Sequence, residues 1–550
     1  MRPWVIVLCV CGAMFWFQAG ERSFWGRHGE ARRAEVSREM AVSGEWIVPH
    51  LNGEAFITKP PLYYWAAALA FRLTGDFSEF SARLPSLISG TLGVVLLMLW
   101  GSALFSRQVG LFAGVVLATN FLYCGLARTA GIDMLLTLFT TAALACFSMA
   151  LKRREHTAAV RADAARSTWL FVLTAAWMGV GNMTKNPIGL AVPLLAIAAY
   201  ILLSRDFKLI VDTKPWWGLL IFLAISLPWF LLVYQRVPNF FEVLKQETVG
   251  RYLDPDGTPH LEPFYYYVTA LGAFAPWALF LPAVIIRAVS TGWRNLSQSH
   301  RFLLIAAVTT FILFSSVGSK REYYLLPLYP VLAVLVALAW DEYCAMKQRT
   351  ARRWTWLSMD IPILGFAILL GILGPALPIA AHFYLPDYLG QSIGFGLLCV
   401  GTGLLLGVLF VRNRPRTIFW TFTLATVGLY LFALTTVVPE MDRYRSRKAF
   451  FQEARALVGE APLVDFHYEG FDAQFYMRRL VEYRFGAEAL SGYLDEQTAS
   501  FVLMTGKRYR QLQDEDPEAA AKLAVRLDRT WTSATQPGQQ KQLIVLQEED

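Results

Sequence analysis

The sequence predicts a polytopic α-helical membrane protein with a small α/β domain at its carboxyl end. Three observations predict that class. Of the 550 residues, 55% are hydrophobic and only 17% are charged, and a mean hydropathy of +0.40 is too apolar for a soluble chain of this length. Long apolar runs alternate with loops, every second one of which is rich in Lys and Arg. From Val438 onward the composition turns charged. The net charge of +8 follows from the basic loops, and no basic tract is interleaved with aromatics, which excludes a nucleic-acid partner.

In chain order, Met1-Arg2-Pro3 and the apolar stretch behind it look like a signal sequence. No small-x-small cleavage site follows, so this stretch is expected to stay as a first helix. Apolar runs near 3–19, 84–105, 108–126, 131–151, 168–184, 187–204, 216–234, 267–288, 302–318, 325–340, 356–380, 392–411 and 417–438 give about thirteen expected spans. Loops carrying Lys152, Arg153 and Arg154, then Arg205 and Lys208, then Arg287 and Arg294, then Lys347 and Arg349, then Arg412, Arg414 and Arg416 mark the cytoplasmic side. That orientation puts the amino terminus inside, and 20–82 and everything after 438 outside. The expected organisation is a membrane domain, 1–438, and an outer α/β domain, 439–550.

The first outer segment is too charged to cross a bilayer and too aromatic to be a solvated linker. Glu30, Arg32, Arg33, Glu35, Arg38 and Glu39 run with Ala34, Val36, Met40 and Val42 at helical spacing. An amphipathic helix along the membrane surface is expected, with Gly29 and Gly44 at its ends. Asn52-Gly53 is a hairpin turn signal. Lys59-Pro60-Pro61 then opens a helix ending at Gly75, too short to span.

In the carboxyl-terminal domain, helices are expected over 446–458 and 517–525 and strands over 463–467, 500–504 and 542–547. No GxGxxG or Walker loop is present, so no nucleotide site is expected. All cysteines but Cys344 lie in apolar runs, which argues against disulfides and a Cys-based metal site.

Two carboxylates stand out, Glu30 at the start of the surface helix and Asp133 at the outer mouth of a span, where a charge is costly unless used or paired. Helix capping by Glu30, and a salt bridge from Asp133 to Arg128 or Arg32, are the structural alternatives. Arg128, Lys185, Lys320 and Arg321 sit in short outer connections, where topology gives no reason for a cation. With Arg32 and Lys59, and with Tyr63, Tyr64, Trp65, Tyr323 and Tyr324 nearby in sequence, they suggest an anion site rather than simple snorkelling. The aromatic outer loop 235–266 reads as a lid from which Arg251 and His260 are candidates to reach inward. A phosphate head with a lipid tail fits such a site, so a sugar donor would be lipid-linked. A transporter or flippase is the rival class, but it calls for charges near mid-membrane, and here they gather at the outer rim.

GEARRAEVSREMAVSGEWIVPHLNGEAFITKPPLYYW, ARTAGIDMLLTLF, MTKNPIGLAVP, EPFYYYVTALGAFAPW and GSKREYYLLPLYP, in this order, resemble the bacterial aminoarabinose transferase family, which is related to the protein O-mannosyltransferases. The resemblance implies a bacterial inner-membrane glycosyltransferase moving a sugar, with inversion, from a polyprenyl phosphate to lipid A at the periplasmic face. Protein hydroxyls or a surface glycan are the alternative acceptors. It places the family's Asp-Glu pair on Gly29 and Glu30, so the Asp is absent and Glu30 or Asp133 takes the carboxylate role. It also implies Arg32, Lys59 and Tyr324 as donor-phosphate ligands; Lys185, Lys320 and Arg321 are further candidates from their charge and their place in the outer connections. Where the family commonly has Glu before that Lys, this chain has Thr58, which weakens a metal contact there. His28, His50, His260 and His382 show no ligand spacing, so no cofactor is assigned and a divalent metal is left open.

Overall fold

The structure, a computed structural model, describes residues 2–25, 29–156, 161–250, 272–317, 321–345, 355–468, 470–496, 500–533 and 536–548. The chain is 77% helical and divides into two compact units. One takes in 1–19, 57–63 and 84–436, the other 20–56, 64–83 and 437–550.

The first unit is a bundle of apolar helices. Among the described residues eight helices are long and apolar enough to cross a membrane, or nine if the bent pair Arg107–Ala118 and Phe121–Ala127 is one broken span. Pro3–Trp16, Ile188–Ser204 and Trp277–Thr291 are apolar but shorter. The bundle has an inside and an outside. Tyr323–Ala345 is 89% buried and Asp133–Arg154 83%, whereas Pro215–Arg236, Trp356–Tyr384 and Pro386–Val411 are each 22% buried and turn their side chains outward. At the centre Trp277, Trp340, Phe419 and Phe422 interlock, ring centres 5.1–5.5 Å apart in three of the contacts. Each buried indole there needs an acceptor or must forgo one; Trp277 Nε1 donates to Thr119 Oγ1 at 2.9 Å, and Trp100 Nε1 donates to Ser148 Oγ at 2.7 Å.

In the second unit the helix Glu30–Ser43 runs between Gly29 and Gly44, and Gly44 adopts φ +76°, a left-handed stop. His50–Leu51 and Glu54–Ala55 pair as a hairpin whose loop residues, Asn52 and Gly53, have φ of +55° and +81°. The helix Leu62–Thr74 ends before Gly75, as its sequence signals indicate.

One expectation fails here. The charged residues of Glu30–Ser43 do not face solvent: Glu35, Arg38 and Glu39 are all buried. The charges are consumed internally. Arg38 clamps Glu35 with bonds of 2.6 and 2.8 Å, and Glu39 accepts from the backbone N–H groups of Asn52 and Gly53. The helix also packs on Phe471–Met477 of the same unit. Helical periodicity finds such a helix, but it cannot tell a solvated charge from a paired one.

The rest of this unit is a five-stranded sheet with strand order Glu482–Arg484, Leu463–Phe466, Phe501–Thr505, Gln536–Glu548, Leu523–Ser533. The first three strands are parallel, which requires crossovers, and Phe471–Met477 and Ala487–Glu496 supply them. The last two strands pair antiparallel. Val464, Phe466, Val502, Met504 and Leu546 fill its core beside Leu490. The helix expected over 517–525 ends at Ala521, and a strand begins at Leu523. The alternation Leu523, Val525, Leu527 has a period of two, and it overrides the helical reading at that point.

Candidate functional site

The bundle unit gathers most of the expected anion-site residues. Asp133 is the first residue of a central helix and lies 7% exposed. Its Oδ1 accepts from Lys185 Nζ at 2.9 Å. Lys185 stands in the turn between Arg161–Asn182 and Ile188–Ser204. Its ammonium also lies 4.5 Å from the centre of the Tyr324 ring, a cation–π distance. Tyr324 meets Tyr323 edge-on at 5.2 Å, and Tyr323 Oη accepts from Arg321 at 3.0 Å. Burial pulls the Lys185 ammonium down, but Asp133 and Tyr324 outweigh it and hold its pKa above the usual 10.5. The Arg321 guanidinium, likewise opposed by burial, is raised by the tyrosine pair and Asp133. Asp133, Lys185, Arg321, Tyr323 and Tyr324 therefore form one electrostatically coupled group.

Lys59 belongs to the same unit. Three residues beyond it, Leu62 N–H donates to Met183 O at 3.2 Å, which fastens this segment to the turn that holds Lys185. Lys59 Nζ donates to its neighbour's carbonyl, Thr58 O, at 3.0 Å and to the carboxylate of Glu247. Glu247 lies in the loop expected to act as a lid, but sequence reasoning did not single it out. Nothing in QETVG marks it, because its partner is 188 residues away.

Arg128 does something else. Its guanidinium donates to the carbonyls of Phe15, Phe17 and Gln18 at 2.8, 2.6 and 3.1 Å, covering the carbonyl end of the first helix. These bonds make it an anchor for the end of that helix. Asp133, for which a salt bridge is the structural alternative, pairs with Lys185.

Glu30 and Arg32 belong to the second unit. Glu30 opens its helix, and both of its oxygens are engaged: Oε2 accepts from Arg22 at 2.6 Å, Oε1 from Arg83 Nε at 3.0 Å. Arg83 is fully buried and also donates to the carbonyls of Arg22 and Ser23. Asp442 accepts from Ser23 N, Ser23 Oγ and Trp25 Nε1 at 3.0, 2.7 and 2.6 Å. The Arg32 guanidinium lies 5.4 Å from the Phe56 ring. Arg83 and Arg22 were missed in the sequence, although Arg83, a cation at the mouth of an apolar run, carries the same signal as Arg128. Lys320, Arg251, His260 and His28 lie outside the described residues. Among the described residues no group of three or more His, Cys, Asp or Glu stands together to hold a metal ion.

Residues 58–231 match the model of a family described as dolichyl-phosphate-mannose-protein mannosyltransferase. A chain of Edwardsiella ictaluri named undecaprenyl phosphate-alpha-4-amino-4-deoxy-L-arabinose arabinosyl transferase is 30% identical over 77% of this chain and 75% of its own length. The protein of that name from Pectobacterium atrosepticum is 31% identical over 74% and 70%. The chain belongs to this arabinosyl transferase family. It is a membrane glycosyltransferase that uses a polyprenyl-phosphate-linked sugar. The fold agrees: the crystal structure of ArnT from Cupriavidus metallidurans bound to undecaprenyl phosphate superposes with a TM-score of 0.77 at 22% identity, covering 99% of this chain and 97% of that one. Its apo form gives a TM-score of 0.75.

Proposed function

We propose that this chain transfers an aminoarabinose-type sugar from undecaprenyl phosphate to lipid A at the periplasmic face of a bacterial inner membrane. The observation that carries this reading is the coupled group of Asp133, Lys185, Arg321, Tyr323 and Tyr324, with Lys59 fastened next to its turn. Cations at the end of an apolar bundle suit a lipid whose head is a phosphate. The positive-inside pattern supports cytoplasmic basic loops and an outer placement of this group. Thirteen spans result if the broken pair, the three shorter apolar helices and Arg161–Asn182 are added to the eight long ones.

In the reaction an acceptor oxygen attacks the anomeric carbon on the face opposite the phosphate. The new C–O bond forms as the bond to the phosphate oxygen breaks, and the configuration inverts. Undecaprenyl phosphate leaves with the bonding pair, its charge met by Lys185, Arg321 and Lys59. If the acceptor is a hydroxyl, its proton passes to Asp133. Glu30 has the weaker claim, because two guanidiniums already occupy its oxygens. The carboxyl-terminal α/β segment is an acceptor-docking element.

The match over 58–231 to a protein mannosyltransferase model favours a second acceptor, protein hydroxyls. Mass spectrometry of lipid A and of envelope glycoproteins from cells with and without the gene separates the two. A sugar-sized mass lost from lipid A with the gene, and not restored by Asp133→Asn, supports the first reading. The same loss from protein alone supports the second, and a mass unchanged in every strain sinks both.

A further inference from the structure

On the outward side of the bundle, far along the chain from the reaction site, the helices Ile361–Tyr384 and Leu389–Val411 form an antiparallel hairpin through Pro386–Tyr388. Their backbones touch: a Cβ on Gly396 would fall 2.3 Å from Gly374 O, and one on Gly403 2.7 Å from Ala367 O. Beside that seam, Gly371 and Gly407 have nothing within 4 Å of where a side chain would begin. The space so left is a groove of about 730 Å³, walled by Leu364, Ile368, Leu404 and Val408, and Arg412 is its one charged lining residue. Ile368 and Leu404 are 64% and 68% exposed, so the groove opens sideways to the bilayer.

Chemistry at the end of the groove identifies an occupant. The chain turns sharply after Val411, with Asn413 at φ +51° and Arg414 N–H bonded to Leu409 O at 3.1 Å. Arg412 lines the end of the groove, and Arg414 and Arg416 follow it within the same turn. Asp341 is within electrostatic reach of Arg416. Arg412 and Arg414 are exposed, and among the described residues neither is in an ion pair. The groove itself is apolar, so the Arg412 guanidinium at its end, with exposed Arg414 two residues on, is the charge a lipid head group would meet.

We infer that the groove binds one anionic glycerophospholipid, an acyl chain lying over Gly371 and Gly407 and the head-group phosphate on Arg412 and Arg414. A groove left empty would forfeit the dispersion contacts of its walls. The chain merely exchanges one hydrocarbon neighbour for another, so it brings little selectivity. The head group brings it. Guanidinium forks bind phosphate in two parallel hydrogen bonds, and a basic residue at a membrane surface favours an anionic over a zwitterionic lipid by about fivefold.

The test is native mass spectrometry of the full-length protein, offered phosphatidylglycerol and phosphatidylethanolamine of identical chains, with inorganic phosphate as a separate competitor. The wild type should retain one phosphatidylglycerol in preference, and Arg412→Gln with Arg414→Gln should erase about 25-fold of that preference. Gly407→Leu should expel lipid of either head group. Leu404→Trp, an exposed wall position, gives the same readout should Gly407→Leu fail to fold. Equal retention of both lipids by the wild type, an unchanged preference in the double arginine variant, or retention by a filled groove would each overturn the inference. Displacement by inorganic phosphate as effective as by lipid would do so as well.

Discussion

Lys185 Nζ stands 2.9 Å from Asp133 Oδ1 and 4.5 Å from the centre of the Tyr324 ring. One ammonium thus serves a carboxylate and an aromatic face, and both arrive from other helices. Lys185→Met should lower transfer by about 10²–10³-fold, the usual loss when one donor to a developing anion is removed. Asp133→Asn should cost about 10²–10⁴-fold if the carboxylate takes a proton. The double variant decides between roles. Losses that multiply mean independent action on acceptor and donor, whereas a double variant no worse than Lys185→Met makes Asp133 a positioning residue for the ammonium.

The same contacts fix a pH dependence. A base whose folded pKa is raised keeps its charge, and the contribution of that charge, at every pH below its ordinary value, here 10.5, and loses it only above. Donor binding should therefore show no titration from Lys185 between about pH 6 and pH 9. Lys185→His moves the titration into range. Its donor affinity should fall as pH rises past about 6.5, a profile that a purely steric defect would not produce. A flat profile in this variant would show that the charge at this position does not bind the donor.

Lys59 is held by Glu247, so a donor phosphate reaching this ammonium would compete with that carboxylate. Removing the protein's own anion should help the donor. Glu247→Gln is expected to lower the KM for the polyprenyl donor by about twofold to fivefold, the order of one partly exposed ion pair. Lys59→Ala should raise it by at least that factor. Steady-state kinetics with a varied donor checks both. If the two variants impair the enzyme alike, the pair is structural.

Local backbone chemistry was legible. Gly44, Gly53 and Gly75 were read as a helix stop, a hairpin turn and a second stop, because each rests on φ at a single residue and on its neighbours. Side-chain partners across the bundle were not. The Asp133–Lys185 pair spans 52 residues and Lys59–Glu247 spans 188, and no periodicity connects positions so far apart. The error at Glu35, Arg38 and Glu39 has the same origin. A charge reads as solvated until its partner is known, and there the partners include one another and a turn formed later in the chain.

Arg128 is the sharpest case of that ambiguity, and it yields a prediction that separates anchor from ligand. In sequence it shares every feature of Lys185: a lone cation in a short outer connection between apolar runs. In the fold its guanidinium is spent on the carbonyls of Phe15, Phe17 and Gln18, which the first helix cannot satisfy itself. Bonds from a charged donor in a place shielded from water are each worth about 1.5–3 kcal/mol. Arg128→Met should therefore cost about 3 kcal/mol of stability once the chain relaxes around the loss, seen as a lower melting temperature of the purified protein. The KM for the polyprenyl donor should stay within twofold of the wild type, about 0.4 kcal/mol. Arg128→Lys, with a point charge in place of a fork, should recover only part of the stability because it cannot reach three carbonyls at once. A raised donor KM with an unchanged melting temperature would return Arg128 to the anion site.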